Sequence, residues 1–252
     1  MSDIYLFDVD GTLTPSRDKM DESFREDFLK WCTDKEVYIV SGGTFERLVN
    51  QLGIEVMEKM SGVFPCMGNI FYQLREQISS SGYSEWEIIY ENKFKNPHNL
   101  TRSLNSIVAK SDFSIKTGEH YVKRVGMINF SVVGRNASKS DRQKYAEWDK
   151  VNCEREKIVA KLSEKYPTLD FVIGGAVSID IFNRGNDKSQ IIDKYFKEAI
   201  ECNDIHFVGD RIDFPGNDYP LANVLSIHET GHFYKVNSWE DTAELLKTKP
   251  FA

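Results

Sequence analysis

Ile4-Tyr5-Leu6-Phe7-Asp8-Val9-Asp10-Gly11-Thr12-Leu13-Thr14 joins a short apolar run to a pair of acids near the start of a 252-residue chain. Four apolar or aromatic residues in a row read as a buried strand, parallel to its neighbours. Two carboxylates cannot follow such a strand into a core without partners, so Asp8 and Asp10 belong at its carboxyl end, where Gly11 lets the chain turn sharply. There Asp8 can serve as a nucleophile and metal ligand, while Asp10 can give and take a proton. A lone pair of aspartates one residue apart also fits a solvated turn after an edge strand. The whole Asp-Val-Asp-Gly-Thr run is far more specific than that pair.

Beyond it, Phe24, Phe28, Trp31 and Cys32 fall at helical spacing, predicting an amphipathic helix over residues 21–33. Val37–Val40 is the next buried strand and runs into Ser41-Gly42-Gly43-Thr44. Small residues at a strand end suit a backbone that closes on phosphate, with Thr44 starting a helix, although on these residues alone a plain turn with an N-cap is the more ordinary reading. Val63–Met67 and Ile70–Tyr72 follow, broken by a hairpin-like turn at Gly68-Asn69. Ser79-Ser80-Ser81-Gly82 has the composition of a linker. Residues 84–186 then lose the strand–helix alternation, and residues 187–252 resume it with a helix carrying Ile191, Ile192, Tyr195 and Phe196 and a strand at Ile205–Val208. The expected organisation is an α/β core formed by 1–83 and 187–252, interrupted by an α+β unit over 84–186.

The inserted region carries the clearest period-two patterning. Apolar residues alternate with Asn129 and Ser131 over Ile128–Val133, and with Ser178 and Asp180 over Val177–Ile181, after a turn at Gly174-Gly175. One sheet thus has an apolar face for helices and a face presenting amide, hydroxyl and carboxylate groups. If the strand beyond Ile128 stays regular, Arg135 projects from that polar side too. Such a face is ordinarily solvated, but this composition, flanked by arginines, also suits sugar hydroxyls and phosphate.

Composition bounds the function. A net charge of −7 argues against a nucleic-acid partner and requires any anion site to gather its own cations. No apolar run reaches the length of a membrane span, and no basic-then-apolar leader precedes the first strand. Cys32, Cys66, Cys153 and Cys202 are scattered and read as reduced thiols of a cytoplasmic protein. His228-Glu229-Thr230-Gly231-His232 matches the zinc-peptidase pattern. That chemistry needs a helix, Gly231 disfavours one, and the flanking Val224–Ile227 and Phe233–Val236 read as strands, so the match is taken as chance.

Phe7–Thr14, with Pro15, Ser16 and Arg17, resembles the first motif of the haloacid dehalogenase superfamily and, within it, the eukaryotic-type phosphomannomutases. Arg124–Asn129, Gly134-Arg135, Arg142 and Gly174–Phe182 are similar in order and spacing to that family's cap, of type C2b. The resemblance implies a Rossmann-like parallel-sheet core with an inserted cap of antiparallel sheet and helices. It implies interconversion of mannose 6-phosphate and mannose 1-phosphate through an aspartyl phosphate and a hexose 1,6-bisphosphate, feeding GDP-mannose synthesis. Asp8 is then the nucleophile and Asp10 the general acid and base, with Lys188 pairing Asp8 and either Ser41 or Thr44 holding the phosphoryl oxygens. Arg17, Arg124, Arg135 and Arg142 hold the distal phosphate, and Asn129, Ser178 and Asp180 face the sugar. Asp8, the Asp10 carbonyl and Asp210 hold Mg²⁺, with Asp218 beside them; a hexose 1,6-bisphosphate activates, and two copies pair through the cap.

The chain departs from the family at Val125, commonly Asn, at Cys66-Met67-Gly68-Asn69, commonly a Glu-Asn-Gly segment, and after Asn217-Asp218, where residues for a second cation are missing. Two other functions use much of the same core: a Mg²⁺-dependent hexose-phosphate phosphatase, and a non-catalytic sugar-phosphate binding protein. Asp10 counts against the second, since a binding module has no use for a general acid. Mannose and glucose are not separated by these residues.

Overall fold

The computed structural model describes residues 3–75 and 86–252; the expected linker at Ser79–Gly82 lies outside the described residues. In chain order the elements are β1 (Ile4–Phe7), α1 (Glu22–Trp31), β2 (Glu36–Val40), α2 (Phe45–Leu52), α3 (Ile54–Lys59), β3 (Gly62–Phe64), β4 (Ile70–Leu74) and β5 (Trp86–Glu91). Next come α4 (Leu100–Lys110), β6 (Tyr121–Arg124), β7 (Met127–Phe130), α5 (Lys139–Asn152), α6 (Glu154–Lys165), β8 (Leu169–Gly174) and β9 (Ser178–Asn183). The last are β10 (Ile205–Gly209), α7 (Tyr219–Leu225), β11 (Gly231–Lys235) and α8 (Trp239–Leu245). Met1–Glu91 with Asp187–Ala252 forms one compact unit and Asn92–Asn186 a second. The hairpin strand β5 pairs with β4, so residues 86–91 lie in the first unit.

The first unit is built on a seven-stranded sheet in the order β11-β10-β1-β2-β3-β4-β5. Its pairings are parallel from β11 to β3 and antiparallel at β3–β4 and β4–β5. Alternate residues of one strand enter two separate clusters: Tyr5 and Phe7 join one, Ile4 and Leu6 the other. Both faces of β1 are therefore covered, which is why it carries apolar or aromatic residues at every position. Phe7 and Leu6 are fully buried, and each such side chain contributes about 1.5–3 kcal/mol relative to exposure.

The second unit has a four-stranded antiparallel sheet, β6-β7-β9-β8. Ile128, Phe130, Ile179 and Ile181 of its central strands share a cluster with Leu104 of α4, Tyr145 of α5, and Ile158 and Leu162 of α6. Only one face of this sheet is apolar, so the alternation seen in the sequence is the alternation of its two faces.

Two local expectations need correction. Val224–Ile227 is not a strand: Val224 and Leu225 end α7, and Ile227 follows in a turn. Leu221, Ala222 and Leu225 are its buried face, and Pro220 in its first turn is the helix-start signal that the apolar run obscured. The strand from Ile128 does not stay regular either. It ends at Phe130, and the chain re-forms through a turn at Gly134, whose φ is +86° and whose added Cβ would sit 1.8 Å from the Thr117 carbonyl oxygen. His232 stands on β11, so it and His228 do not share a helix face.

Candidate active site

β1 ends at Phe7, and Asp8 N–H donates to the Val208 carbonyl at 2.9 Å, prolonging the parallel ladder by one residue. The chain then folds back on itself: Thr12, Leu13 and Thr14 N–H groups all approach the Val9 carbonyl, with Gly11 at φ +88°. β10, beside β1, ends at Gly209 and delivers Asp210 at the same end of the sheet. Asp218 precedes α7 and is fixed by the Arg211 N–H, which donates to its Oδ2 at 3.0 Å.

Lys188 lies among these acids. Its Nζ donates to Asp8 Oδ1 and to Asp218 Oδ1, each at 2.5 Å, and its side chain is wholly buried. A buried ammonium survives only with such partners. Asp8, Asp210 and Asp218 each offer an oxygen within 4.8 Å of the others. Burial, with neighbouring Asp218 and Asp210, pushes the Asp8 carboxyl well above the usual range despite Lys188. Burial and Asp218 push Asp210 up to about 6 against Arg211 and Lys188. Burial alone would lower Lys188, but the two carboxylates outweigh it and move it up. The cluster thus carries more negative charge than its own cations balance. Three carboxylates in that condition, Asp8 and Asp218 buried and Asp210 partly exposed, form a donor set suited to a hard divalent cation, which would draw the acids back to their ionised forms.

Asp10, two residues on, behaves oppositely. Arg17 N–H donates to its Oδ1 at 2.6 Å, Gln51 Nε2 to the same oxygen at 3.0 Å, and Arg47 forms a short ion pair with Oδ2. Burial raises its carboxyl, but Arg47 and these hydrogen bonds prevail and hold it below the usual range. Its carboxylate is not part of the three-acid cluster. Neither Arg47 nor Gln51 was anticipated. They stand one turn apart on α2, and the one available signal was that a helix starting at Thr44 must aim some polar side chain at the end of the neighbouring β1.

Ser41 and Thr44 divide the strand–helix junction between them. Ser41 is buried, and its Oγ accepts from the Gly43 N–H at 3.1 Å. Thr44 is the N-cap of α2, its Oγ1 accepting from the Arg47 N–H at 3.4 Å. Arg17 is in the first unit as well, at φ +61° in the turn that holds Asp10.

The remaining expected residues lie in the second unit. Asn129 faces Asp180 across β7 and β9, and its Nδ2 donates to Asp180 Oδ1 at 2.5 Å. Arg135 Nη1 donates to Asn129 Oδ1 at 2.5 Å, so Arg135 joins this face from the loop rather than from a regular strand. Arg142 Nη2 donates to the Arg135 carbonyl at 2.8 Å and its Nε to that of Ala137 at 3.1 Å. Ser178 Oγ instead donates to the Gly174 carbonyl at 2.8 Å within its own turn, and Arg124 ends β6. Asn129, Ser131, Ser178 and Asp180 are all buried. The polar face is a hydrogen-bonded network, not a solvated surface.

Known proteins agree with this chemistry. A family model of eukaryotic phosphomannomutase matches residues 24–249. A phosphomannomutase of Dendrobium officinale is 37% identical over 250 residues, covering 97% of this chain and 92% of its own. One from Saccharomyces cerevisiae is 32% identical over 245 residues, covering 96% and 92%. A sugar phosphatase of haloacid dehalogenase subclass IIB superposes with a TM-score of 0.53 at 13% identity, covering 98% of each chain, and so shares the fold. The chain belongs to the eukaryotic phosphomannomutase family.

Proposed function

We propose that this protein interconverts mannose 6-phosphate and mannose 1-phosphate, with Asp8 carrying the transferred phosphoryl group. The observation that carries the reading is Asp8 itself, buried at the end of β1 and held by Lys188, with a separately tuned Asp10 two residues away. Asp8 Oδ attacks phosphorus, the bond from phosphorus to the sugar oxygen breaks, and that oxygen takes a proton from Asp10. In the reverse sense Asp10 accepts the proton of the attacking hydroxyl as the aspartyl phosphate is consumed. Arg47 favours the carboxylate form of Asp10, which suits it to take the hydroxyl proton as the aspartyl phosphate is consumed. The proton gained there is the one it returns to the sugar oxygen when Asp8 is phosphorylated. Lys188 opposes charge that develops on the phosphoryl oxygens, and Ser41 or Thr44 orients them.

Asp8, Asp210 and the Asp10 carbonyl, with Asp218 beside them, would hold Mg²⁺, which supplies charge neutralisation at the transferring group. The second unit's Arg124, Arg135 and Arg142, with Arg17, would bind the distal phosphate, while Asn129, Ser178 and Asp180 meet the sugar hydroxyls. A hexose 1,6-bisphosphate serves as intermediate and activator, since it presents a phosphate to either site after turning round. A homodimer formed through the second unit and a cytoplasmic setting complete the reading; among the described residues no helix is long and apolar enough to cross a membrane.

The test is a coupled assay with mannose 1-phosphate, Mg²⁺ and catalytic glucose 1,6-bisphosphate, run in parallel with glucose 1-phosphate. Formation of mannose 6-phosphate is the expected result. Free phosphate in its place would make the protein a hydrolase, and neither product would reduce it to a binding protein.

A further inference from the structure

We propose that the groove between α4 and α6, within the Asn92–Asn186 unit, binds a nucleoside polyphosphate. The groove encloses about 570 Å³, within the range of small-ligand sites. Arg102, Ser106 and Lys110 on α4 fall four residues apart, as do Lys157, Lys161 and Lys165 on α6, so each helix turns one polar stripe toward the cavity. Ile107, Ile158, Leu162 and Tyr166 line it between the stripes.

A row of lysines on a helix is ordinarily a solvated face. Three features set this one apart. The chain has 39 acids against 32 bases, yet five cations line this cavity against one acid, Glu154. That acid is already engaged, accepting from the Tyr145 hydroxyl at 2.9 Å. Among the described residues none of the five cations forms an ion pair, and the two whose Nζ contacts are known reach neutral oxygens: Lys157 the Asn152 carbonyl and Lys165 the Ser103 hydroxyl, both at 2.8 Å. Like charges four residues apart also weaken the helix that carries them. An anion lying along the groove would relieve that repulsion on α6 and meet the cations of α4 on the other wall.

The cavity's form narrows the class of ligand. Cations on two facing walls suit a run of phosphates, and an apolar floor suits the flat ring of a base. A second copy of this chain has the right sign of charge, but a protein face needs a broad patch rather than a narrow trough with charged walls. The inference does not depend on the chemistry at Asp8.

Calorimetric titration of the full chain with ADP, pyrophosphate and adenosine tests it, each with and without glucose 1,6-bisphosphate to occupy the catalytic site. ADP is expected to bind equally in both conditions, pyrophosphate more weakly, and adenosine not measurably. Lys110→Glu/Lys161→Glu should weaken ADP by at least about tenfold, with the circular dichroism spectrum and thermal melt unchanged as proof of folding, while Lys110→Arg/Lys161→Arg should keep the affinity. Unaltered ADP binding in the charge-reversed protein, or competition by glucose 1,6-bisphosphate, would overturn the assignment. So would pyrophosphate binding as tightly as ADP, or a change of sedimentation state in the reversed variant without ADP, which would give the groove to a second copy.

Discussion

The two sheets place their polar side chains in different ways. At the centre of the seven-stranded sheet both faces are sealed by apolar clusters, so the acids there stand where strands end, Asp8 after β1 and Asp210 after β10. In the four-stranded sheet one face is apolar, and Asn129 and Asp180 project from mid-strand on the other. The strand ends gather ionised groups of both signs at high density, which suits covalent transfer. The polar face gathers a neutral amide between a carboxylate and a guanidinium, which suits recognition. Position on a sheet, more than residue type, separates the aspartate proposed to react from the one proposed to bind.

The sharpest way to break that contrast is Asp8→Asn. Turnover in the coupled assay should fall by on the order of 10⁴-fold or more, with the circular dichroism spectrum unchanged; retained activity would move the nucleophile elsewhere. Lys188→Met comes next, because it strands Asp8 and Asp218 without their cation. Urea unfolding should show a loss of about 3–5 kcal/mol, smaller in the presence of Mg²⁺. Arg47→Met should lower kcat by about a hundredfold and move the acid limb of the pH–rate profile upward, since Arg47 is what keeps the Asp10 carboxyl low. An unmoved limb would disconnect Asp10 from that limb. On the polar face, Arg135→Met should raise KM by about tenfold with kcat little altered; a large fall in kcat would erase the division between strand end and sheet face.

The smallest effect belongs to the opposite end of the parallel sheet. His206, beside Tyr5 of β1, is stacked between Tyr5 and His232 and faces Asp3, Asp204 and Tyr234. Burial, then His232, lower its folded-state pKa against the pull of Asp3 and Asp204. Unfolded chains therefore take up this proton first, so stability should decline as pH falls from the ordinary histidine value of about 6.5. His206→Gln should flatten that slope in thermal melts without touching turnover at neutral pH.

How far the sequence reached depended on the range over which each contact acts. Asp8, Asp10 and Gly11 are adjacent, and a strand feeding an acid pair is readable from its own residues. Lys188 reaches Asp8 across 180 residues and Asp218 across 30, so only a resemblance could bring them together. Arg47 sits 37 residues from Asp10 and had no motif of its own, so it went unseen. The run Val224–Ile227 reads as a strand on its own residues because a short apolar stretch has no period, and the decisive Pro220 lies outside it. On the second sheet, alternation gave the two faces correctly. It gave no sign that the polar one would be buried, because burial is decided by what packs above a face.

Two glycines sit directly behind the acid cluster. A Cβ on Gly11 would lie 2.7 Å from Asp210 Oδ2, and one on Gly209 would lie 2.7 Å from Asp218 Oδ2. A single methyl group at either place would shoulder a carboxylate out of the gathering, with every ionisable residue still present. The chain can consequently be disarmed by changes that leave its formal charge untouched, and an inventory of acids and bases would not notice the loss.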